Sequence, residues 1–222
     1  MNNKEIQRKR MLTYFIEAAK KIIEEEGLEA VTIRKVADLA GYNSATLYNY
    51  FENLNHLIFF ASMKYLNEYA ESLLNFTINS KDSLERYLNV WKCFCYHSFN
   101  RPEIYYNIFF GEFSNSRLDV SIRTYYSIFP EELSEEARRV FPMLLEDDFN
   151  IRDLAYLMPA VSEGLIKEEH VEEISEMCIL VYEGMLSRML KNPKPYNIED
   201  AVAKTMKYIN KTIQYYIKDN VE

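Results

Sequence analysis

The chain is short of the residues that interrupt helices. Five glycines and six prolines in 222 residues leave little room for the turns of an all-β protein, so the composition leans towards helix. No apolar run approaches the roughly 18 residues needed to cross a bilayer. No cleavable apolar segment follows the polar, basic start MNNKEIQRKR, so a cytoplasmic protein with no membrane partner is expected. Cysteine is scarce and odd in number. Cys93, Cys95 and Cys178 make a poor disulfide framework. Cys93 and Cys95, two apart on a helix, point to different faces, and no metal pair is expected there. Only three histidines occur, His56, His97 and His170, widely spaced, and G-x-S-x-G, H-E-x-x-H, C-x-x-C and a glycine-rich phosphate loop are all missing. Neither an enzyme nor a cofactor or metal is expected. The carboxylate runs, such as Glu146–Asp147–Asp148, read as solvated surface and helix starts.

What is present is apolar and unevenly charged. Hydrophobic residues make up 48%, enough for a sizeable core, and the formal net charge is −8. Residues 1–56 hold eight basic and eight acidic side chains, so the whole excess of negative charge lies beyond them. That balance favours contact with a polyanion at the front over contact elsewhere. The group Arg8–Lys9–Arg10 reads either as an arm reaching such a partner or as a disordered tail.

Apolar spacing places a helix over 6–26, with Leu12, Phe15, Ile16, Ala19, Ile22 and Ile23 on one face and Gly27 as its stop. Thr32 caps a short helix to Leu39, Gly41 allows a tight turn, and Asn43 caps a third helix over Ser44–Tyr50. Three short helices joined through a glycine turn form a helix-turn-helix pattern. Longer helices are expected from Asn53 to Phe76, Asp82 to Phe99 and Pro102 to Phe110. Others are expected over 117–128, 131–145, 150–163, 168–191 and 197–218. The fold expected is all-α, with domains at 1–52 and 53–222.

The segment AAKKIIEEEGLEAVTIRKVADLAGYNSATLYNYFENLNHL resembles the DNA-binding domain of the tetracycline-repressor (TetR) family of bacterial transcription regulators. The likeness covers roughly residues 8–58. Its specific pieces are G-x-x-A-V-T-I-R-x-V-A-x-x-A-G and T-L-Y-x-Y-F, in order and at the family's spacing. The resemblance implies that Ser44, Ala45, Thr46 and Tyr48 meet base edges and nearby phosphates. It also implies that Thr32, Arg34, Tyr48 and Tyr50 clamp the DNA backbone, with the asparagine amides, Asn43 and Asn49, able to hold phosphate oxygens. Lys35 is either a further contact or a solvated helix residue. Two positions depart from the family: Leu54 stands where a lysine is usual, and Ala45 where glycine is common. The first removes a phosphate anchor, so a shallow salt dependence of binding is expected.

For the rest of the chain the resemblance implies a ligand-binding and dimerisation domain. It implies a homodimer on a palindromic double-stranded operator, most simply a repressor released by a small apolar or aromatic effector. The alternatives are a dimer with no effector, or an activator. Nine rings crowd the 23 residues from Trp91 to Phe113, with more to Tyr156. Trp91, Tyr96, Phe99, Phe109, Phe113, Tyr126 and Tyr156 are the candidate pocket lining. The last two helices are the candidate pairing surface, through Ile179, Tyr182, Leu186, Met189, Ile209, Ile213 and Tyr216.

Overall fold

A computed structural model describes residues 2–113, 118–133, 138, 148–191 and 196–218. Among them the chain forms ten α-helices and no strand. These are α1 (Asn3–Glu26), α2 (Ile33–Ala40), α3 (Ser44–Leu47), α4 (Leu54–Thr77) and α5 (Ser83–Asn100), followed by α6 (Pro102–Phe110), α7 (Leu118–Ile128), α8 (Phe149–Ser162), α9 (Val171–Lys191) and α10 (Ile198–Lys218). Most of the helix expected over 131–145 lies outside the described residues; Pro130–Glu132 is a single 3-10 turn.

Local chemistry sets these boundaries. Asn2 and Glu5 close a reciprocal capping box at the start of α1, each backbone N–H reaching the other's side chain at 2.9 Å. Asp82 caps α5, accepting from the Glu85 N–H at 2.7 Å, and Asn53 caps α4, accepting from the His56 N–H at 2.9 Å. Gly27 and Gly41 end α1 and α2 at φ values of 91° and 79°, which a side chain would resist.

Contacts divide the chain into two compact units. The first comprises Met1–Asn67 and Glu103–Ser134, the second Glu68–Pro102 and Glu135–Glu222. Contact density therefore does not break at residue 52, where the composition changes. In the first unit α1 packs on α2 and on α7, and α2 on α3. Phe15 and Ile16 of α1 are fully buried with Val36, Ala37 and Leu47. Lys20 shows why α7 joins this group. Its ammonium is buried, 2.8 Å from Glu132 and 3.1 Å from Glu17, and lies 4.2 Å from the ring centre of Phe129. Glu132 also accepts from the Tyr125 hydroxyl. A buried cation persists only when paired in this way.

In the second unit α5, α8, α9 and α10 pack on one another. The rings of Trp91, Phe94, Phe99 and Phe149 surround Tyr182 at centroid distances of 5.0–6.0 Å. Nearby Asp153 is buried and accepts a hydrogen bond from the Tyr87 hydroxyl at 2.8 Å. Burial pushes its carboxyl from 3.8 up to about 6. Ser175 and Trp91 lie close enough to favour the charged form without completing hydrogen bonds of their own.

This raised value sets a pH dependence. The folded chain holds the Asp153 proton up to about pH 6, whereas an unfolded chain releases it near the ordinary carboxyl value of 3.8. The group's contribution to stability is therefore fully present below that lower value and is lost as pH rises through about 6. The difference is about 3 kcal/mol. Asp153→Asn keeps an acceptor for Tyr87 and should gain most relative to the parent above pH 6. Urea unfolding of both proteins across that window checks it, and parallel pH profiles would count against this assignment.

Candidate nucleic-acid interface

The first unit builds its exposed face from a buried anchor outward. Leu47 and Phe51 are at most 1% exposed, and Phe15 meets Phe51, Tyr50 and Tyr42 at ring distances of 5.7–6.3 Å. These contacts fix α3 by its inner side. Thr32 Oγ1 accepts from the Lys35 N–H at 3.2 Å. Asn43 Oδ1 accepts from the Thr46 N–H at 2.9 Å and from its hydroxyl at 3.0 Å. Both caps seen in the sequence are thus present.

The third helix is shorter than the expected Ser44–Tyr50. It is α-helical only over Ser44–Leu47, and Asn49 and Tyr50 turn back to Thr46 and Leu47 through i to i−3 hydrogen bonds of 3.2 and 2.9 Å. The tightening suits a segment that must swing Phe51 into the core only four residues after Leu47.

Opposite that buried side stand the candidate contact residues. Thr32, Arg34, Asn43, Ala45, Tyr48 and Asn49 are exposed, and Lys35, Ser44, Thr46 and Tyr50 half-buried. Tyr48 is 57% exposed, turned to solvent rather than to the core. Arg34 is 3.8 Å from Asp38 with both side chains largely in solvent, so it is free to move to another anion. Lys35 pairs with Glu26, which favours the solvated-helix reading of that residue. Tyr50 is partly a packing residue, and Tyr42 stacks at 6.2 Å on Tyr14.

The basic start is neither a free arm nor a tail. Arg8, Lys9 and Arg10 are in the first turns of α1. The Arg8 guanidinium lies 5.6 Å from the ring centre of Tyr50, and Arg10 Nε donates to the Tyr14 hydroxyl at 2.8 Å. Arg8 and Arg10 thus add positive charge beside the aromatic residues of this face, a placement that only the packing of α1 reveals.

Residues 15–59 match the family described as bacterial regulatory proteins, tetR family. Over those residues the chain is similar to the TetR family. TetR-family regulators are DNA-binding transcription factors, not enzymes. Solved TetR-family structures share the all-helical architecture. Thermus thermophilus FadR, a transcriptional repressor seen in complex with lauroyl-CoA, is 12% identical with a TM-score of 0.57, covering 90% of this chain and 94% of its own. RolR in complex with resorcinol is 14% identical with a TM-score of 0.55, covering 95% and 94%. A regulator from Mesorhizobium loti is 13% identical with a TM-score of 0.54, covering 94% and 98%. No curated protein matches.

The candidate pocket residues of this chain are not brought together as one lining. Phe109, Phe113 and Tyr126 belong to the first unit, and Trp91, Tyr96, Phe99 and Tyr156 to the second. Trp91 and Phe99 do meet, through Tyr182. Phe113 instead stacks on His56 at 4.7 Å, while Glu112 accepts from Asn55 at 3.2 Å and from Asn53 at 3.4 Å, joining the end of α6 to the start of α4. Tyr96 is 43% exposed in a groove between α5 and α10. Tyr156 is half-buried, and burial pushes its hydroxyl up to about 12.

The candidate pairing residues require a correction. Ile179, Tyr182, Leu186, Ile209, Ile213 and Tyr216 are each at most 7% exposed within the single chain, and Met189 is half-buried. Because α9 has neighbours in α5, α8 and α10, both of its apolar stripes are used internally. The apolar residues left outside are Met177 and Leu180 on α9, and Tyr208 and Tyr215 on α10.

One contact resembles catalytic machinery. Ser72 Oγ lies 2.6 Å from His97 Nε2, but the serine hydroxyl also donates to the Tyr69 carbonyl at 2.9 Å. The imidazole then serves as donor to Ser72 rather than as its base. Burial and the charge of Arg101 lower the His97 pKa further, consistent with a neutral packing residue. Among the described residues no cluster of three or more metal-ligating side chains occurs, and no helix is long and apolar enough to cross a membrane.

Proposed function

We propose that the chain is a homodimeric repressor that sets two copies of the Ser44–Tyr50 segment into successive major grooves of a palindromic operator and is released by a small effector. The observation that carries this reading is the solvent-facing Tyr48, held rigidly by the burial of Leu47 and Phe51 on either side of it. Thr32, Arg34 and Tyr50 clamp phosphates, and Ser44, Ala45 and Thr46 face bases, with Asn43 and Asn49 flanking them. Major-groove width suits this geometry, and a two-fold pair reads enough sequence to find one site.

The effector is a small, largely aromatic or acyl molecule bound in the second unit. FadR with lauroyl-CoA and RolR with resorcinol support that class. The Glu112–Asn53–Asn55 and His56–Phe113 contacts provide a route from the end of α6 to the start of α4, whose tilt would respace the reading segments. Only a ligand with unequal affinity for the two spacings can do this.

Selection of bound sites from random duplexes, followed by a screen of acyl and aromatic compounds for release, tests the proposal. A half-site repeat about 34 Å apart is expected. Recovery of no preferred sequence would end it. The plot of log K against log salt should be shallower than about −6, because Leu54 removes an ionic contact from each subunit. Fluorescence anisotropy at several salt concentrations measures it.

A further inference from the structure

Five cations of the first unit, Lys20, Lys21, Arg34, Lys35 and Lys64, each pair with a carboxylate of that unit. Arg8 and Arg10 are held differently. Both are exposed, and neither has a carboxylate partner among the described residues. Tyrosines support them instead. The Arg8 guanidinium lies 5.6 Å from the ring centre of Tyr50. That of Arg10 lies 5.6 Å from the ring centre of Tyr14, its Nε donates to the Tyr14 hydroxyl at 2.8 Å, and Tyr14 stacks on Tyr42 at 6.2 Å. Two residues apart on a helix, the arginines leave α1 on different flanks. Tyr42 precedes the segment that presents Tyr48 and Tyr50 ends it, so the two arginines bracket that segment.

We infer that Arg8 and Arg10 are phosphate contacts on either side of the reading segment, and that they take the place of the lysine absent at Leu54. This role rests on the reading of Ser44–Tyr50 as the segment in the groove, and adds contacts from outside the helix-turn-helix. A tyrosine holds a cation without neutralising it, which a carboxylate cannot do, so the full charge stays available to DNA. With Nε committed to Tyr14, Arg10 keeps its two terminal amino groups as a fork for phosphate oxygens, and the Tyr14 hydroxyl keeps its own hydrogen to donate. Arg8, laid against Tyr50, is likewise oriented before DNA arrives, so less side-chain freedom is lost on binding. Such contacts set the register of the protein on the duplex and leave sequence to the base edges. From two subunits, Arg8, Arg10 and Arg34 make about six ionic contacts, or a slope of about −5.4 in log K against log salt. That value agrees with the shallow dependence expected from Leu54.

Fluorescence anisotropy of the full chain across a range of salt tests this, with one duplex carrying the selected site and a random duplex of equal length. Arg8→Ala and Arg10→Ala should each make the slope shallower by about 1.8 and weaken binding about 30-fold near about 0.15 M salt, on both duplexes alike. Arg10→Lys should bind more weakly at the parent slope, because the charge survives and the fork does not. Tyr14→Phe should do the same, through loss of the hydroxyl that orients Arg10. All these positions are exposed, so the melting temperature should hold. A lowered melting temperature with an unchanged slope in Arg10→Ala would mark a structural role and overturn the contact. Alanine variants that bind as the parent does, beside a Tyr48→Ala chain that has lost binding, would overturn it while leaving the groove segment in place. If Tyr48→Ala also binds normally, the groove reading falls and this role with it. A loss confined to the selected site would mean that the arginines read bases, which overturns the phosphate role too.

Discussion

Phe15→Ala is expected to lower the unfolding free energy by about 4 kcal/mol, the usual cost of truncating a buried aromatic ring. Phe15 has no exposed surface and touches Tyr42, Tyr50 and Phe51, so its loss removes the support beneath α3 as well as apolar burial. Operator binding should fall with it, because a loosened Phe51 no longer fixes the turn that presents Tyr48. Thermal unfolding followed by circular dichroism measures the first effect, and anisotropy with labelled operator the second. Since Phe15 faces the core and not the DNA, a variant of full stability that has lost binding would contradict this account.

Tyr48→Ala should do the reverse. The residue is 57% exposed and lies outside the core, so the melting temperature should hardly move. A hydrogen bond to a charged phosphate is worth about 1.5 kcal/mol or more. Two copies per operator make the loss about 3 kcal/mol, or about 100-fold in affinity. Tyr48→Phe isolates the hydroxyl and should show most of the same loss. Binding unchanged by either substitution would mean that another segment reads the DNA. The two experiments separate the scaffold from the reading surface, which adjoin each other in sequence.

How far these features were legible in the sequence depends on the range of the forces involved. Thr32, Gly41, Asn43, Leu47 and Phe51 could be given their roles at once, because capping, left-handed backbone and the burial of a short helix are decided by neighbours a few residues away. Among the described residues the expected helices agree with those observed to within a few residues, except that α3 tightens after Leu47; the one expected over 131–145 lies mostly outside them. The outward stripe of α9 was harder. Its two apolar stripes were visible, but periodicity does not say how many neighbours a helix has inside its own chain. Here α5, α8 and α10 take up both stripes, so Tyr182 became the centre of an aromatic core and the free face shifted to Met177, Leu180 and Gly184. The aromatic density from Trp91 to Phe113 was equally plain, yet which ring meets which is a matter of tertiary packing. Lys20 gave no sign at all, since its partner Glu132 is 112 residues away.

That lysine bears on how the reading head can be reused. Fusing residues 1–52 to a foreign dimeriser would leave the Lys20 ammonium with Glu17 but without Glu132 and its ring cage, and would bare the apolar side of α1 that α7 now shields. A transplantable module must therefore carry the segment around Tyr125–Glu132 along with the front of the protein. Swapping specificities between relatives should follow the same seam, exchanging whole compact units instead of cutting where the composition changes.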